Sequence, residues 1–358
     1  MGPIRVLIVD DSVVIRKILT EELSTDPSIA VVGSASSGQI ALAKILQVNP
    51  DIVTLDIEMP GMNGLETLKH IRHSYPKLPV IMFSTLTELG ASATLEALSL
   101  GASDYLTKPS NAGSVTGARN AIRRDLIHKL KSLTNKPTVT TSFTKITPNI
   151  CPRRQAAIEI VAIGTSTGGP NALAEVLPRL PQDFPVPILV VQHMPPLFTR
   201  LLAERLNAQS GLSIREAETG RSIAPGEVWM ARGDYHMTVV RHNGHVLLSL
   251  NQELPENFCR PAVDVLFRSV AHTYGASTLA VVMTGMGSDG ARGACEIRDA
   301  GGAVLVQDQD SSVVWGMPGA VANAGAVDKI CPLKQLSQEI VERVNTSRAQ
   351  GTAIHYLS

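Results

Sequence analysis

Residues 4–12 read Ile-Arg-Val-Leu-Ile-Val-Asp-Asp-Ser, and this stretch decides the architecture of the first third of the chain. Aliphatic and β-branched residues in a short run predict a buried strand, and Ser12 begins an amphipathic segment that predicts a helix over residues 12–23. The same order recurs to about Lys131, with a further helix predicted over residues 87–100 that ends at Gly101. Strands are predicted at residues 4–10, 29–35, 51–56, 79–83 and 103–106. Five βα units indicate an α/β domain with a doubly wound five-stranded parallel sheet.

A second βα series begins at Ala157 and predicts a separate doubly wound α/β domain. Its parallel strands are expected at residues 158–164, 186–192, 278–284 and 303–308. An inserted piece with strands at residues 228–232, 237–241 and 246–250 looks antiparallel, because Asn243-Gly244 is a tight-hairpin signal. The predicted organisation is a first domain over residues 1–132, a polar linker over 133–154 that is rich in Thr, Ser, Asn and Pro, and a second domain over 155–350.

Composition excludes several protein classes. The 358 residues carry 32 Lys and Arg against 32 Asp and Glu, so a polyanion such as nucleic acid is not an expected partner. Apolar runs fall short of a membrane helix and no signal peptide is recognisable, which predicts a cytosolic protein. The cysteines are widely spaced with no C-x-x-C pair, which predicts reduced thiols and neither a disulfide framework nor a zinc site. They are Cys151, Cys259, Cys295 and Cys331.

Basic residues dominate the region around the predicted linker, where Asp125 is the single acid between residues 118 and 158. Two interpretations are open: a solvated helix end and tether, or a docking surface for an acidic partner. The basic residues are Arg119, Arg123, Arg124, Lys129, Lys131, Lys136, Lys145, Arg153 and Arg154.

Acidic residues end two strands of the first domain. Asp10 and Asp11 follow the first strand and Asp56 ends the third, so they converge at the carboxyl edge of the sheet, where such folds bind ligands. Clustered carboxylates need a cation, and an oxygen-rich set of this kind suits Mg²⁺. Ser84 and Lys108 come from the neighbouring strand ends. The group is therefore predicted to hold a phosphoryl on Asp56.

The motifs of this domain resemble those of the receiver domain of bacterial response regulators, over roughly residues 3–130. They are Val9-Asp-Asp-Ser12, Leu55-Asp-Ile-Glu-Met-Pro-Gly61, Ser84 and Lys108-Pro109. The resemblance implies that Asp56 is phosphorylated, that Asp10, Asp11 and Asp56 bind Mg²⁺, and that Ser84 and Lys108 sense the phosphoryl. It also implies that Tyr105 is the aromatic switch.

A serine, a histidine and an aspartate follow three strands of the second domain. Residues 164–168, Gly-Thr-Ser-Thr-Gly, fit G-x-S-x-G, in which small residues let a nucleophilic serine occupy a tight strand-to-helix turn. His193 follows the next strand and Asp289 follows the strand near residue 284. A serine nucleophile needs a base, and the base needs an orienting acid. These residues predict a triad of Ser166, His193 and Asp289, with no metal required for the hydrolysis.

A dinucleotide site is the competing interpretation of the same loop. Gly285, Gly287 and Gly290 form G-x-G-x-x-G after a strand, and Asp308 ends the following one. That hypothesis leaves Ser166 and His193 unexplained, whereas the triad uses all three side chains.

The motifs of the second domain closely resemble the catalytic domain of chemotaxis protein-glutamate methylesterases of the CheB type. The resemblance implies hydrolysis of γ-glutamyl methyl esters on chemoreceptors with release of methanol, often with deamidation of receptor glutamines. It assigns the nucleophile to Ser166, the general base to His193 and the orienting acid to Asp289, and it puts Thr167 and the amide of Met286 on the oxyanion side. Arg232 and Gln309 depart from the usual Pro and Glu. The motifs are residues 164–169, 192–195, 260–264, 284–290 and 312–318.

Together the two resemblances predict a phosphorylation-activated hydrolase of chemotaxis adaptation. A chemotaxis histidine kinase would donate the phosphoryl, methylated chemoreceptors would be the substrates, and the chain would reach the membrane only through those receptors. By the resemblance, the unphosphorylated receiver shields the catalytic mouth. A transcriptional response regulator is disfavoured because the second domain shows no basic recognition helix, and a non-catalytic scaffold is disfavoured because the triad is complete.

Overall fold

The computed structural model describes residues 2–108, 115–134 and 156–355. The chain divides into two compact units, Met1–Ser142 and Phe143–Ser358. Pro109, Cys151 and residues 135–154 of the predicted linker lie outside the described residues, so the linker boundaries stay a prediction. In the described ranges, no helix is both long and apolar enough to cross a membrane.

The first unit alternates strands and helices, as predicted. Ser12 and Thr87 are the N-caps of their helices, each accepting a hydrogen bond from a backbone N–H, and Gly101 with φ of 100° follows the second of them. The elements are β1 (Ile4–Val9), α1 (Val13–Leu23), β2 (Ile29–Ala35), α2 (Gly38–Val48), β3 (Ile52–Asp56), α3 (Gly64–Ser74), β4 (Val80–Ser84), α4 (Glu88–Ser99), β5 (Asp104–Thr107) and α5 (Val115–Thr134).

The five strands form one parallel sheet in the order β2-β1-β3-β4-β5. β3 and β4 are buried along their whole length, because helices cover both faces of the sheet. The chain reverses its direction of winding between β1 and β3, and a crevice opens at the carboxyl ends of strands where this happens. Asp10 and Asp56 stand at that crevice.

The second unit is a larger α/β layer structure with a hairpin. Two short 3₁₀ helices, Leu177–Arg179 and Gly275–Ser277, join its elements. The elements are β6 (Ile160–Thr165), α6 (Gly169–Val176), β7 (Ile188–Gln192), α7 (Phe198–Gln209), β8 (Ser213–Glu216), β9 (Glu227–Met230), β10 (His236–His242), β11 (His245–Asn251), α8 (Val263–Tyr274), β12 (Thr278–Val282), α9 (Ala291–Asp299), β13 (Ala303–Gln307), α10 (Met317–Asn323), β14 (Lys329–Cys331) and α11 (Leu333–His355).

Seven parallel strands of this unit form a sheet in the order β14-β13-β12-β6-β7-β9-β8. β6, β7 and β12 are buried along their whole length and form the middle of the sheet. The chain builds outward from β6 through β7 and then returns to place β12 on the other side of β6. The carboxyl ends of these three central strands therefore define the expected ligand crevice.

The doubly wound fold of both domains and the antiparallel hairpin are confirmed, and one strand assignment is corrected. β10 and β11 pair in antiparallel register from His236–Asn251 to His242–His245 around Asn243-Gly244. The stretch predicted as residues 228–232 does not join them. As β9 it pairs in parallel with β7 and β8, because three of its four residues are buried and it fills an inner position of the seven-stranded sheet.

Candidate active site

Ser166 lies immediately after β6, at the turn into α6. Its neighbours on both sides are buried, whereas Ser166 itself is half-buried. The turn closes through the N–H of Gly169, which donates to the Ser166 carbonyl at 2.8 Å, and Gly168 adopts a left-handed φ of 79°. The serine hydroxyl therefore stands just before the amino terminus of α6, where the helix dipole favours a developing negative charge.

The loop after β12 packs directly against this turn. The N–H of Ser166 donates to the Thr284 carbonyl at 3.0 Å. A Cβ atom on Gly285 would lie 2.9 Å from Ser166 Cβ and 2.3 Å from Met317 Sδ, so only glycine fits there. The glycine-rich motif after β12 thus has a packing reason that needs no nucleotide, and Asp308 is engaged by the N–H and hydroxyl of Ser311.

His193 and Asp289 are joined across the carboxyl edge of the sheet. His193 Nε2 lies 2.8 Å from Asp289 Oδ2. His193 follows β7 and Asp289 follows β12, on either side of β6, so the topology brings the three predicted side chains to one crevice. Among the described residues, Ser166 Oγ makes no hydrogen bond. Because Nε2 is used by the carboxylate, Nδ1 is the ring nitrogen that would accept a proton from serine, and Cys259 Sγ lies 3.6 Å from it.

Asp289 is fixed by the amino terminus of α8. Its Oδ2 accepts from the N–H of Val263 at 2.7 Å, and its Oδ1 accepts from the N–H of Asp264 at 3.0 Å. Asp264 in turn accepts from the N–H of Gly293 in α9 at 2.7 Å. Asn257 Nδ2 donates to both carboxylates, at 2.9 Å each. These two carboxylates therefore cap two helices and cannot rotate freely.

His193 and Asp289 each stabilise the charged form of the other. Burial alone would raise the pKa of Asp289, but hydrogen bonds from His193 and from the backbone amides of Asp264 and Val263 outweigh burial and lower it. Burial alone would lower the pKa of His193, but Asp289 and Cys259 reverse that effect and raise it. The arrangement thus stabilises an imidazolium, which is the form that follows proton transfer from a serine.

Gln192 and Cys259 contact triad residues without belonging to the predicted triad. Gln192 is buried, and its Nε2 donates to the carbonyls of Ser166 at 3.0 Å and His193 at 3.2 Å. Cys259 Sγ lies 3.6 Å from His193 Nδ1. The sequence signal for Gln192 was its place at the end of β7, whereas no pattern pointed to the role of Asn257 or Cys259.

The predicted oxyanion-side residues lie at the same crevice. Thr167 directly follows Ser166 and is buried, and its carbonyl accepts from Thr284 Oγ1 at 2.9 Å. Met286 directly follows Gly285, the glycine that packs against Ser166. The N–H of Ser166 donates to the Thr284 carbonyl. Thr167 and the backbone amide of Met286 stay the predicted oxyanion-side groups.

Asn257→Gly is expected to lower kcat/KM about 10- to 100-fold, because a hydrogen bond to a charged group contributes about 1.5–3 kcal/mol. Asn257 has a left-handed φ of 53°, which glycine adopts without strain. The matched control is Asn243→Gly, at φ of 49° in the hairpin turn. Steady-state ester hydrolysis should separate the two variants, and equal rates would show that Asn257 does not position Asp289.

The acidic residues of the first unit also converge as predicted. Lys108 Nζ lies 2.7 Å from Asp56 Oδ2 and 3.2 Å from Asp10 Oδ2. One oxygen from each of Asp10, Asp11 and Asp56 lies within 4.8 Å of the other two. Burial, helped by Asp10, raises the pKa of Asp56 to about 6 against the opposing effect of Lys108.

This donor set fits Mg²⁺. All the donors are carboxylate oxygens, which a hard divalent cation prefers. Asp10 Oδ2 and Asp56 Oδ2 are buried and accept no hydrogen bond of normal geometry, and Lys108 is the cation that faces them in the described part of the chain. Two buried carboxylates that share one ammonium group leave negative charge that a divalent cation would offset.

The predicted sensing residues surround this pocket. Ser84 is buried, and its hydroxyl donates to the Gly90 carbonyl at 2.9 Å. The Ser84 carbonyl accepts from the N–H of Lys108 at 2.7 Å. Tyr105 is buried, which raises the pKa of its phenol well above the usual value, and its ring centroid lies 5.7 Å from Lys129 Nζ.

Several basic residues near the predicted linker are paired inside the first unit. Arg119 lies 2.8 Å from Glu21, Lys131 lies 2.6 Å from Asp26, and Lys129 pairs with Asp104. These pairs favour the interpretation of a charged helix face over that of an acidic-partner surface for α5. Lys136, Lys145, Arg153 and Arg154 lie outside the described residues.

The contacts described for the two departures from the expected motifs are with residues outside the triad. Arg232 is exposed and stacks over the ring of Tyr235, with 4.9 Å between its guanidinium carbon and the ring centroid. The carbonyl of Gln309 accepts from the N–H of Ser312 at 3.3 Å.

Comparison with known proteins identifies the family of each domain. Residues 161–340 match the family model described as CheB methylesterase, and residues 6–118 match the response regulator receiver domain. A protein-glutamate methylesterase/protein-glutamine glutaminase of Trichodesmium erythraeum is 53% identical over 96% of this chain and all of its own length. One of Nocardioides is 49% identical over 97% of each chain. The crystal structure of the Thermotoga maritima CheB methylesterase catalytic domain is 43% identical with a TM-score of 0.51, covering 52% of this chain and 99% of its own.

Proposed function

The chain belongs to the CheB methylesterase family, and from this membership we propose that it demethylates glutamate methyl esters on chemoreceptors under the control of its phosphorylated receiver. The general function is that of a protein-glutamate methylesterase/protein-glutamine glutaminase with a receiver domain. The observation that carries the catalytic part is the His193–Asp289 contact of 2.8 Å, beside Ser166 at the end of the central strand.

In this proposal Ser166 Oγ attacks the ester carbonyl carbon while His193 Nδ1 takes its proton. The oxyanion that forms lies on the side of Thr167 and the backbone amide of Met286, the proposed oxyanion-side groups. His193 then returns the proton to the methoxy oxygen and methanol leaves, with Ser166 held as an acyl ester. Water, deprotonated by His193, attacks that ester and regenerates the serine and a glutamate carboxyl group. With a glutamine side chain the leaving group is ammonia and the remaining steps are the same.

Asp289 stays ionised throughout this cycle. It receives hydrogen bonds from two backbone amides of α8, from Asn257 and from His193. The His193 contact and the two backbone amides outweigh burial and lower the pKa of Asp289. The imidazolium intermediate is therefore paired with a fixed negative charge that does not need to reorganise during the reaction.

The regulatory part of the proposal rests on the acidic pocket. Asp56 would be the phosphoryl acceptor, and Asp10, Asp11 and Asp56 would hold Mg²⁺, which supplies charge neutralisation when bound. Lys108, at 2.7 Å from Asp56 Oδ2, is placed to pair with a phosphoryl oxygen. Ser84 and Tyr105 would respond by changing their contacts. A chemotaxis histidine kinase is the proposed phosphodonor. The proposed location of the chain is the cytoplasm, with membrane association only through the receptors.

The test is release of methanol from methylated chemoreceptor membranes, measured together with release of ammonia from receptors that carry glutamine at the same positions. We expect both products, with methanol lost and ammonia lost in parallel when Ser166 is replaced. Release of neither product from either substrate would overturn the proposal. Release from free glutamate methyl ester alone would show an esterase that does not act on receptors.

Phe258 is expected to contribute to substrate binding. It is 94% exposed and sits between Asn257, which contacts Asp289, and Cys259, which contacts His193. An exposed aromatic side chain beside a reaction centre has apolar area to bury against a protein substrate. Phe258→Ala should raise KM about tenfold with little change in kcat, since burial of such a side chain is worth about 1.5–3 kcal/mol. Ile330→Ala, in the edge strand β14, is the control, and an unchanged KM for Phe258→Ala would contradict this role.

A further inference from the structure

A sulfur atom faces the ring nitrogen that the proposed hydrolysis needs. Cys259 Sγ lies 3.6 Å from His193 Nδ1, while Nε2 of the same ring lies 2.8 Å from Asp289 Oδ2. An ionised carboxylate accepts a hydrogen bond, so Nε2 carries the proton and Nδ1 carries the lone pair when the ring is neutral. The lone pair and the thiol therefore share one small space, and Cys259 is half-buried rather than sealed in the core.

The separation of these two atoms matches one edge of a zinc tetrahedron. Zinc binds imidazole nitrogen at about 2.0–2.1 Å and cysteine sulfur at about 2.3 Å, which at a tetrahedral angle sets the two donors about 3.6 Å apart. The observed distance has the same value. A metal ion could thus bind both atoms without a large movement of either side chain.

The surroundings supply the outer partner that a metal-binding histidine usually has. Histidine ligands commonly donate their second ring N–H to a carboxylate, which fixes the tautomer and raises the basicity of the ligand nitrogen. Asp289 takes this place, and it is itself held by the N–H groups of Val263 and Asp264. One potential ligand atom from each of His193, Cys259 and Asp289 lies within 4.8 Å of the others.

We propose that His193 and Cys259 form a binding site for a thiophilic divalent metal ion, of which Zn²⁺ is the type, and that its occupation inhibits the hydrolase. Binding converts the thiol to a thiolate and releases one proton to solvent. The metal takes the Nδ1 lone pair, so His193 can no longer accept the Ser166 proton. Water completes the coordination shell, since the site is open on the side of the crevice.

The donor set separates this site from the acidic pocket of the first unit. Sulfur and imidazole nitrogen select Zn²⁺ and similar ions, whereas the oxygen-only set of Asp10, Asp11 and Asp56 suits Mg²⁺. The same chain would therefore take two metals with opposite consequences: one assists phosphorylation and the other blocks hydrolysis.

The test uses Co²⁺ as a spectroscopic substitute for Zn²⁺, added to the reduced full-length chain in excess Mg²⁺ to keep the acidic pocket occupied. We expect a near-ultraviolet thiolate-to-Co²⁺ charge-transfer band that saturates at one metal per chain and disappears when Zn²⁺ is added. The band should be lost in Cys259→Ala, Cys259→Ser and His193→Ala. It should be retained in Cys295→Ala, the matched control at another half-buried free thiol.

A band that persists in both Cys259 variants, or its absence from the parent chain at a molar excess of Co²⁺, would overturn the proposal. Because absorbance reports binding without substrate, these results are independent of whether the chain is a methylesterase. Inhibition is tested separately: Zn²⁺ should reduce ester hydrolysis by the parent chain and by Cys295→Ala over the same concentration range in which it displaces Co²⁺. Each variant is compared with its own rate in the presence of a chelator, and Zn²⁺ that binds without slowing hydrolysis would refute the inhibitory role.

Discussion

Ser166→Ala is expected to lower the rate of ester hydrolysis by at least about 10⁴-fold, because loss of the nucleophile in a serine triad removes covalent catalysis altogether. The hydroxyl lost in this variant is half-buried and follows β6 directly. The rate is measured as methanol release from methylated receptors at equal protein concentration. Since Ser166 packs against Gly285 through its Cβ, which alanine retains, folding should be preserved.

The control for this variant is Ser222→Ala, at an exposed serine of the same unit. The rate of ester hydrolysis should fall as far in His193→Ala as in Ser166→Ala. Asp289→Asn should keep weak activity, because the role of Asp289 is orientation and charge stabilisation. A normal rate in either of the first two variants would refute the triad.

Asp56→Asn is expected to abolish labelling of the chain by a small phosphodonor with Mg²⁺. Asparagine has nearly the same shape but cannot form the acyl phosphate, and it removes one of the three carboxylates that face the proposed cation. Labelling is measured with a radioactive phosphodonor. Asp51→Asn is a suitable control, because Asp51 directly precedes the opposite end of β3 and accepts from the Arg5 amide at 2.8 Å. Undiminished labelling of Asp56→Asn would show that the acceptor is another residue.

The same variant tests how the receiver acts on the hydrolase. A fragment that begins near Arg153 is expected to hydrolyse receptor methyl esters faster than full-length Asp56→Asn at equal concentration, because phosphorylation is proposed to relieve an inhibitory state. A fragment that is equal or slower would mean that the receiver recruits or activates instead of inhibiting.

The central strands were predictable because burial and sequence pattern agree there. β1, β3, β6, β7 and β12 are short apolar runs, each followed by polar or glycine-rich residues, and these features depend only on local sequence. The shorter outer strands carry less information. β8 and β14 were missed because they have only four and three residues with partly polar composition, which is too short a run to show a strand pattern. β9 was misassigned because a four-residue run beside a clear hairpin signal does not reveal which sheet it joins.

The site residues at strand ends were predictable from sequence, whereas those on an irregular turn were not. Ser166, His193 and Asp289 were predicted because strand ends of a parallel sheet meet at one edge. Asn257 and Cys259 reach the triad from a turn in which Asn257 and Phe258 both adopt left-handed φ, and Glu256 and Cys259 exchange backbone hydrogen bonds. No sequence pattern gives the position of such a turn, because it depends on how the turn packs against residues far along the chain, including His236, whose Nε2 lies 3.1 Å from the Leu254 carbonyl.

Asp289 caps α8 and Asp264 caps α9, so a substitution of Asp289 affects both the activity and the folding of the protein. Ala262, the N-cap residue of α8, makes no side-chain capping hydrogen bond, so the cap comes from Asp289. Asp289→Asn would turn an amide N–H toward backbone N–H donors. A buried polar group left without a partner costs about 1–3 kcal/mol of stability. Such a loss is a large part of a domain's stability and lowers the amount of folded protein in a cell. Variants at this position should therefore be scarce in living populations, since they would reduce protein abundance as well as turnover.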